Sequence, residues 1–170
     1  MSYRITVVCL GNICRSPIAE AVLRDRIARA GLQDAVSVDS AGTGDWHLGG
    51  AADPRALATL AAHGYPLDHL ARQIDASWFA DIDLILAMDR ANYRDLQKMR
   101  EHAGLDTEIR MMRAFDPALS GSSEPSAELE VPDPYGGGDA EFLRVLHMIE
   151  SAADGLVKQL ASGFQQGKRA

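Results

Sequence analysis

Apolar and polar positions along the chain fall into two alternating kinds of segment. Ile5-Thr6-Val7-Val8-Cys9-Leu10 is a short β-branched run with no polar alternation, the signature of a strand covered on both faces. Val36–Ala41 and Asp83–Met88 read as a second and a third strand, and Glu108–Phe115 as a fourth. Between these runs the apolar period lengthens to that of a helix. Ser16-Pro17 predicts a helix start, with Ser16 as N-cap and Pro17 as the first helical residue. Ala19, Leu23, Ile27 and Ala30 then recur at spacings of three and four, and Gly31 ends the run. Asp53-Pro54 opens a second helix, capped by Asp53, that carries Leu57, Leu60 and Ala61 to Gly64. A third extends from Asp89 to about His102. The last extends from about Asp139 to Ser162 and places Phe142, Val145, Leu146, Ile149, Leu156 and Leu160 on one side. Strands alternating with helices predict α/β architecture: a single doubly wound domain over residues 1–170, with a four-stranded parallel sheet and helices on both faces. Residues 163–170 read as a flexible tail.

Two stretches depart from this rhythm. Residues 42–50 form a glycine-rich loop containing Trp46. Residues 116–138 hold four prolines, four glycines and four serines with little periodic signal, so a loop of this length predicts a functional lid.

Composition narrows the function classes. Net charge is −7, with 17 Lys and Arg against 24 Asp and Glu, which argues against a nucleic-acid-coating or membrane-bound protein. No apolar run approaches the roughly 20 residues of a membrane helix, and the N-terminal residues lack a signal-peptide pattern. Charge is uneven: residues 1–31 carry five arginines against Glu20 and Asp25, whereas residues 106–154 carry eleven acids against three arginines. Arg24, Arg26 and Arg29 read as a solvated helix face. The two cysteines, Cys9 and Cys14, are too few for a disulfide framework or an all-Cys zinc site, and the histidines lack metal-ligand spacing. The expectation is a cytoplasmic protein with a reactive thiol and no metal or cofactor, with unconventional export left open.

Chemistry gathers after the first strand. Ligands of open parallel sheets bind outside the carboxyl ends of strands, and the first such loop is Cys9-Leu10-Gly11-Asn12-Ile13-Cys14-Arg15-Ser16. A strand-to-helix turn can aim successive backbone N–H groups inward as an anion nest, reinforced by the helix N-terminus. Gly11 suits close backbone approach and Asn12 tolerates positive φ. Arg15 adds a planar fork matched to two phosphoryl oxygens. A thiol in such a nest is stabilised as thiolate, so Cys9 is the candidate nucleophile. The pattern lacks the Gly-Lys-Ser/Thr of a nucleotide loop and the G-x-G-x-x-G of a dinucleotide site. Cleavage of a phosphomonoester through cysteine also needs an acid for the leaving oxygen. Three Asp-Pro pairs compete. Asp53 reads as a helix cap and Asp116 as a turn. Asp133, between Pro132 and Pro134 and beside Tyr135, is the choice, with Tyr135 expected to shield it from water.

These residues resemble the low-molecular-weight protein tyrosine phosphatase family over nearly the whole chain. The resemblance rests on residues 8–17, on Asp39-Ser40-Ala41-Gly42 with Trp46, on Asp53-Pro54-Arg55, and on His69-Leu70-Ala71-Arg72-Gln73. It continues through Met88-Asp89 and Val131-Pro132-Asp133-Pro134-Tyr135. It implies the flavodoxin-like fold of that family, with protein phosphotyrosine as substrate and inorganic phosphate as product. It also implies that Cys9 forms a phosphocysteine and that Arg15 and the loop amides bind the phosphoryl group. In that family Ser16 would donate to the thiolate, and Asp133 would protonate the phenol and then activate water. Asn12, Ser40 and His69 resemble the network supporting the loop. Trp46 and Tyr135 resemble the aromatic walls of the pocket, with Ile13 at its side. Cys14 resembles a redox partner that can form a disulfide with Cys9 and guard it. One departure is Gly136, followed by Gly137 and Gly138, where many members carry a second aromatic.

Three rival readings compete with this one. Thioredoxin-coupled arsenate reductases share the Cys-x5-Arg loop but need two further cysteines, and no cysteine follows Cys14. Protein arginine phosphatases of the same family carry threonine where Ile13 stands, and a bulky apolar residue favours an aryl ring. A non-catalytic anion binder would not need Cys9, Arg15 and Asp133 together.

Overall fold

The computed structural model describes residues 2–169. Four parallel strands, β1 (Tyr3–Cys9), β2 (Val36–Gly42), β3 (Leu84–Ala87) and β4 (Glu108–Met111), form one sheet in the order β2-β1-β3-β4. Around them lie α1 (Arg15–Arg29), α2 (Pro54–Ala62), α3 (Arg90–Ala103) and α4 (Asp139–Arg169). This is the α/β arrangement expected from the alternating segments.

The central strands β1 and β3 are buried on both sides because their runs lack a polar face, whereas the edge strands β2 and β4 alternate buried with more exposed polar positions. Ile5, Val7, Leu84 and Leu86 point into a core shared with Ile18, Val22 and Leu23 of α1, Leu60 of α2, and Phe142, Leu146 and Ile149 of α4. The intervening positions Val8, Ile85 and Ala87 face Phe79, Leu96 of α3 and Ile109. Strand periodicity of two thus sends neighbouring residues of one run into different cores. Each such aliphatic or aromatic side chain contributes about 1.5–3 kcal/mol on burial.

Several expectations change. The fourth strand ends at Met111, and Met112–Phe115 is a 3-10 turn. Its partner β3 is only four residues long, and the register runs out where Ala87 meets Met111. Residues 163–169, expected to be a flexible tail, continue α4; Ala170 lies outside the described residues, as does Met1. The stretch 116–138 is not featureless, since Pro117–Leu119 and Ala127–Leu129 are short 3-10 turns. Arg24, Arg26 and Arg29 are not one solvated face. Arg26 is drawn onto Glu150 and Asp154 of α4, while Arg24 and Arg29 are exposed as expected, Arg24 donating to the carbonyl of Val38 and Arg29 pairing with Asp25. Among the described residues no helix is long and apolar enough to cross a membrane.

The topology fixes where a ligand can sit. From β1 the chain steps to β2 on one side and later to β3 on the other, so the crevice opens between the carboxyl ends of β1 and β3. The loop of residues 10–14 leaves β1 at that crevice, and Met88-Asp89 leaves β3 beside it.

Candidate active site

The loop after β1 is shaped by one buried asparagine. Asn12 has φ 55°, the left-handed region that asparagine tolerates better than most residues. Its Oδ1 accepts from the backbone N–H of Arg72 at 2.9 Å, which fixes the orientation of the amide. Its Nδ2 therefore donates to Ser16 Oγ at 2.8 Å and to Ser40 Oγ at 3.0 Å. His69 Nε2 lies 2.7 Å from the Asn12 carbonyl; an oxygen that can only accept places the proton on Nε2. Gly42 sits beneath the loop, where a Cβ would fall 2.6 Å from the Leu10 carbonyl oxygen. A Cβ on Gly11 would come 3.1 Å from His47 Cδ2. The backbone clash makes glycine a requirement at 42, whereas at 11 a shift of the exposed His47 ring would relieve the contact.

Ser16 is not the N-cap that the local pattern predicts. The helix begins one residue earlier, at Arg15, with Cys14 in the N-cap position and no side-chain cap. Pro17 is consequently the third helical residue, where its missing N–H has no intrahelical partner to lose. The Ser16 hydroxyl turns inward instead, 3.0 Å from Cys9 Sγ. Since Ser16 Oγ already accepts from Asn12, its proton is available to the sulfur. The alternative acceptor, the Ala41 carbonyl, is farther away at 3.4 Å.

Among the described residues, the backbone N–H groups of residues 10–14 find no protein acceptor. They crown the N-terminus of α1 beside Cys9, and Arg15 completes the ring while only 3% exposed. Arg15 Nη1 donates to Asp89 Oδ2 at 2.7 Å and to the Val131 carbonyl at 3.0 Å; its Nη2 lies 3.8 Å from Asp133 Oδ2. Burial alone would lower the Arg15 pKa. The charge at Cys9 and the hydrogen bond to Asp89 outweigh burial and raise it, so the guanidinium stays cationic. Burial pushes the neighbouring Cys14 thiol up to about 12, reinforced by Asp53 and Cys9, so Cys14 remains protonated at neutral pH. Both cysteines are free and buried.

A cavity of about 380 Å³ opens above this floor. Cys9 and Arg15 lie at its base, Leu10 and Ile13 at its side, and Trp46, His47 and Tyr135 form its walls, with Asp133 at the rim. Trp46 and Tyr135 are 69% and 55% exposed, so aromatic surface stands open to an incoming ring. Tyr135 does not shield Asp133 as expected. The carboxyl is half-exposed, held by the Tyr135 backbone N–H at 3.1 Å rather than covered by the ring. Asp53 does cap α2, accepting from Arg55 N at 2.8 Å, and the hydrogen bonds from Arg55 hold its carboxyl below the usual range. Asp116 accepts from Ala118 N in a turn.

The fold thus brings Cys9, the loop residues, Arg15, Ser16, Ser40, His69, Trp46, Tyr135 and Asp133 to one crevice. Sequence reasoning missed three neighbours. His47 was read as an ordinary histidine yet lines the cavity. Asp89 is marked in the sequence as a helix start and within the Met88-Asp89 match, with no contact assigned; an acid at the carboxyl end of the strand beside β1 is the available signal for its contact with Arg15. Arg55 reaches the acid loop from α2, a contact between residues 80 and 82 positions apart that no local pattern announces. Among the described residues no three His, Cys, Asp or Glu side chains gather as a metal site.

Comparison with known proteins follows this geometry. The model of the low molecular weight phosphotyrosine protein phosphatase family matches residues 4–166. A Streptomyces coelicolor protein named low molecular weight protein-tyrosine-phosphatase is 49% identical over 92% of this chain and 93% of its own length. The solved structure of a protein tyrosine phosphatase from Entamoeba histolytica superposes with TM-score 0.82 at 36% identity, covering 95% of this chain and 99% of that one. A Drosophila arginine phosphatase has the same TM-score of 0.82 at 31% identity, over 92% and 96% of the two chains.

Proposed function

The chain belongs to the low molecular weight phosphotyrosine protein phosphatase family, a family of hydrolases, and from that premise we propose that it hydrolyses protein phosphotyrosine through a phosphocysteine, without a metal ion. The carrying observation is the nest of unpartnered amides around Cys9, closed by buried Arg15 and faced by Asp133.

The steps follow from that arrangement. The aryl ring enters between Trp46 and Tyr135, with Ile13 against its side. The loop N–H groups and Arg15 take the phosphoryl oxygens, and these fixed dipoles strengthen as charge develops in the transition state. Cys9 Sγ attacks phosphorus, the P–O bond to the phenol breaks, and Asp133 gives its proton to the departing oxygen. The hydrogen bond from Ser16 orients the sulfur for attack and stabilises the charge it regains on departure. Asp133, now a carboxylate, takes a proton from water as its oxygen attacks the phosphocysteine, releasing inorganic phosphate and restoring the thiolate. Asn12, Ser40 and His69 hold the nest in shape and touch no reacting atom. Cys14 serves as a guard: peroxide converts Cys9 to a sulfenic acid, which condenses with the Cys14 thiol, losing water, to a reversible disulfide.

Turnover of an aryl phosphate in the presence of EDTA tests this reading. Cys9→Ser should abolish it. Asp133→Ala should lower kcat/KM by about 10²–10⁴ for poor leaving groups while leaving phosphate affinity little changed. Equal loss for all leaving groups would place the acid elsewhere. Phosphotyrosine and phosphoarginine assayed side by side test the ring preference assigned to Ile13, and faster release from phosphoarginine would overturn it.

A further inference from the structure

The segment carrying Asp133 is pinned at two points. Upstream, Val131 N donates to the Met88 carbonyl at 2.8 Å, and the Val131 carbonyl accepts from Arg15. Downstream, the turn 134–137 is closed by Gly137 N on the Pro134 carbonyl at 2.9 Å. Just beyond the turn, Gly138 N donates to Glu141 Oε2 and the Gly138 carbonyl accepts from Glu141 N and Phe142 N, which ties the end of the arm to the start of α4 but leaves Tyr135 and Gly137 unheld from that side. Residues 136–138 are all glycine, which lose the most conformational freedom on ordering and offer no side chain to pack.

Arg55 holds the middle of the arm. Its Nη2 donates to the Tyr135 carbonyl at 2.8 Å and its Nη1 to the Gly137 carbonyl at 2.7 Å. The guanidinium also lies 4.7 Å from the Phe142 ring centroid and 5.5 Å from that of Tyr135. We propose that Arg55 is a positioning residue for Asp133: it latches the glycine-rich arm of the acid loop to the phosphate loop and so sets where the general acid stands. The proposal rests on the reading of Asp133 as that acid.

The linkage is short. Tyr135 holds Asp133 Oδ1 with its N–H, and Arg55 holds Tyr135 by its carbonyl. At its other side Arg55 is aligned by Asp53, through Nε at 3.0 Å and Nη2 at 2.9 Å. The backbone N–H of Asp53 in turn donates to the Ile13 carbonyl, inside the phosphate loop, at 2.8 Å. One ion pair therefore joins the wall beside the nucleophile to the arm beside the acid. The role needs a planar fork. A lysine presents a single charged point and cannot reach both carbonyls and the carboxylate in these directions.

The test is a leaving-group series of aryl phosphates on wild type, Arg55→Ala, Arg55→Lys, Asp133→Ala and the double variant Arg55→Ala/Asp133→Ala. A displacement of about 1 Å can cost about 10²-fold. The expectation for Arg55→Ala is a loss of kcat/KM approaching that value for the poorest leaving groups and under about threefold for the best. Inhibition by phosphate should be nearly unchanged, Arg55→Lys should not rescue, and added guanidinium ion should partly restore Arg55→Ala. The double variant should lose no more than Asp133→Ala alone, because the latch acts only through that carboxyl. If Asp133→Ala shows no leaving-group dependence, the reading of Asp133 fails. If Asp133→Ala shows it but Arg55→Ala loses equally for every leaving group, or adds its full loss in the double variant, the latch is overturned. Should Arg55→Ala fail to fold, Arg55→Lys carries the same comparison.

Discussion

Asn12→Ala is the substitution for which the structure allows a magnitude to be worked through. The asparagine is fully buried and its side chain makes three hydrogen bonds, to Ser16, Ser40 and the Arg72 N–H. A buried intramolecular hydrogen bond contributes about 1 kcal/mol net, and a left-handed residue with a Cβ and no polar group to compensate costs about 1 kcal/mol more. The expected loss for Asn12→Ala is therefore about 4 kcal/mol, a large share of the roughly 5–15 kcal/mol that holds a domain folded. Asn12→Gly loses the same three bonds but relieves the φ of 55°, so it should recover about 1 kcal/mol. Urea denaturation of the two variants beside wild type measures both quantities, with an unchanged m-value required for the comparison. A loss under about 1.5 kcal/mol for alanine would mean the three bonds contribute little. A glycine variant no better than alanine would refute the assignment of backbone strain.

Two further predictions come from titrating groups. Burial raises the pKa of Glu20 above its usual 4.5, only partly offset by Arg24 and His69, so its ionised form costs stability in the folded state. Its contribution is fully favourable below the unfolded value and is lost as pH rises through the raised folded value. The stability of Glu20→Gln relative to wild type should thus increase from mildly acidic to neutral pH, and a flat difference in urea unfolding would refute the burial argument. Cys14, with its thiol pushed to about 12, should resist iodoacetamide under mildly alkaline conditions. Mass spectrometry should find one adduct, on Cys9 and blocked by phosphate, and Cys14→Ser should inactivate at the wild-type rate; comparable labelling of Cys14 would contradict its burial.

Much of the site was legible because it is built from one contiguous segment. Cys9 ends a strand, Arg15 begins a helix, and the loop between them has only enough residues to turn once. Asp133 stands out among three Asp-Pro pairs because the other two have local roles: Asp53 caps a helix and Asp116 closes a turn. The same local reasoning failed at Ser16. A serine before a proline reads as a cap, but a cap is a preference of about 1 kcal/mol, easily displaced when a buried amide and a sulfur both compete for the hydroxyl.

The sequence alone determined the alternation of strands and helices and the double burial of the central strands β1 and β3, since these depend on neighbours within a few residues. Only the tertiary structure decided the partners: Asp89 on Arg15, His47 beside Gly11, and Arg55 on the carbonyls of Tyr135 and Gly137. Those contacts join residues 36 to 82 positions apart, and their specificity is geometric. Charge and hydrogen-bonding capacity are written in each residue, but which groups meet is set by how β1, β3 and α2 pack. The run of three glycines at 136–138 is thus hydrogen-bonded both to Glu141 next to it in sequence and to Arg55 far from it, and only the first is written locally.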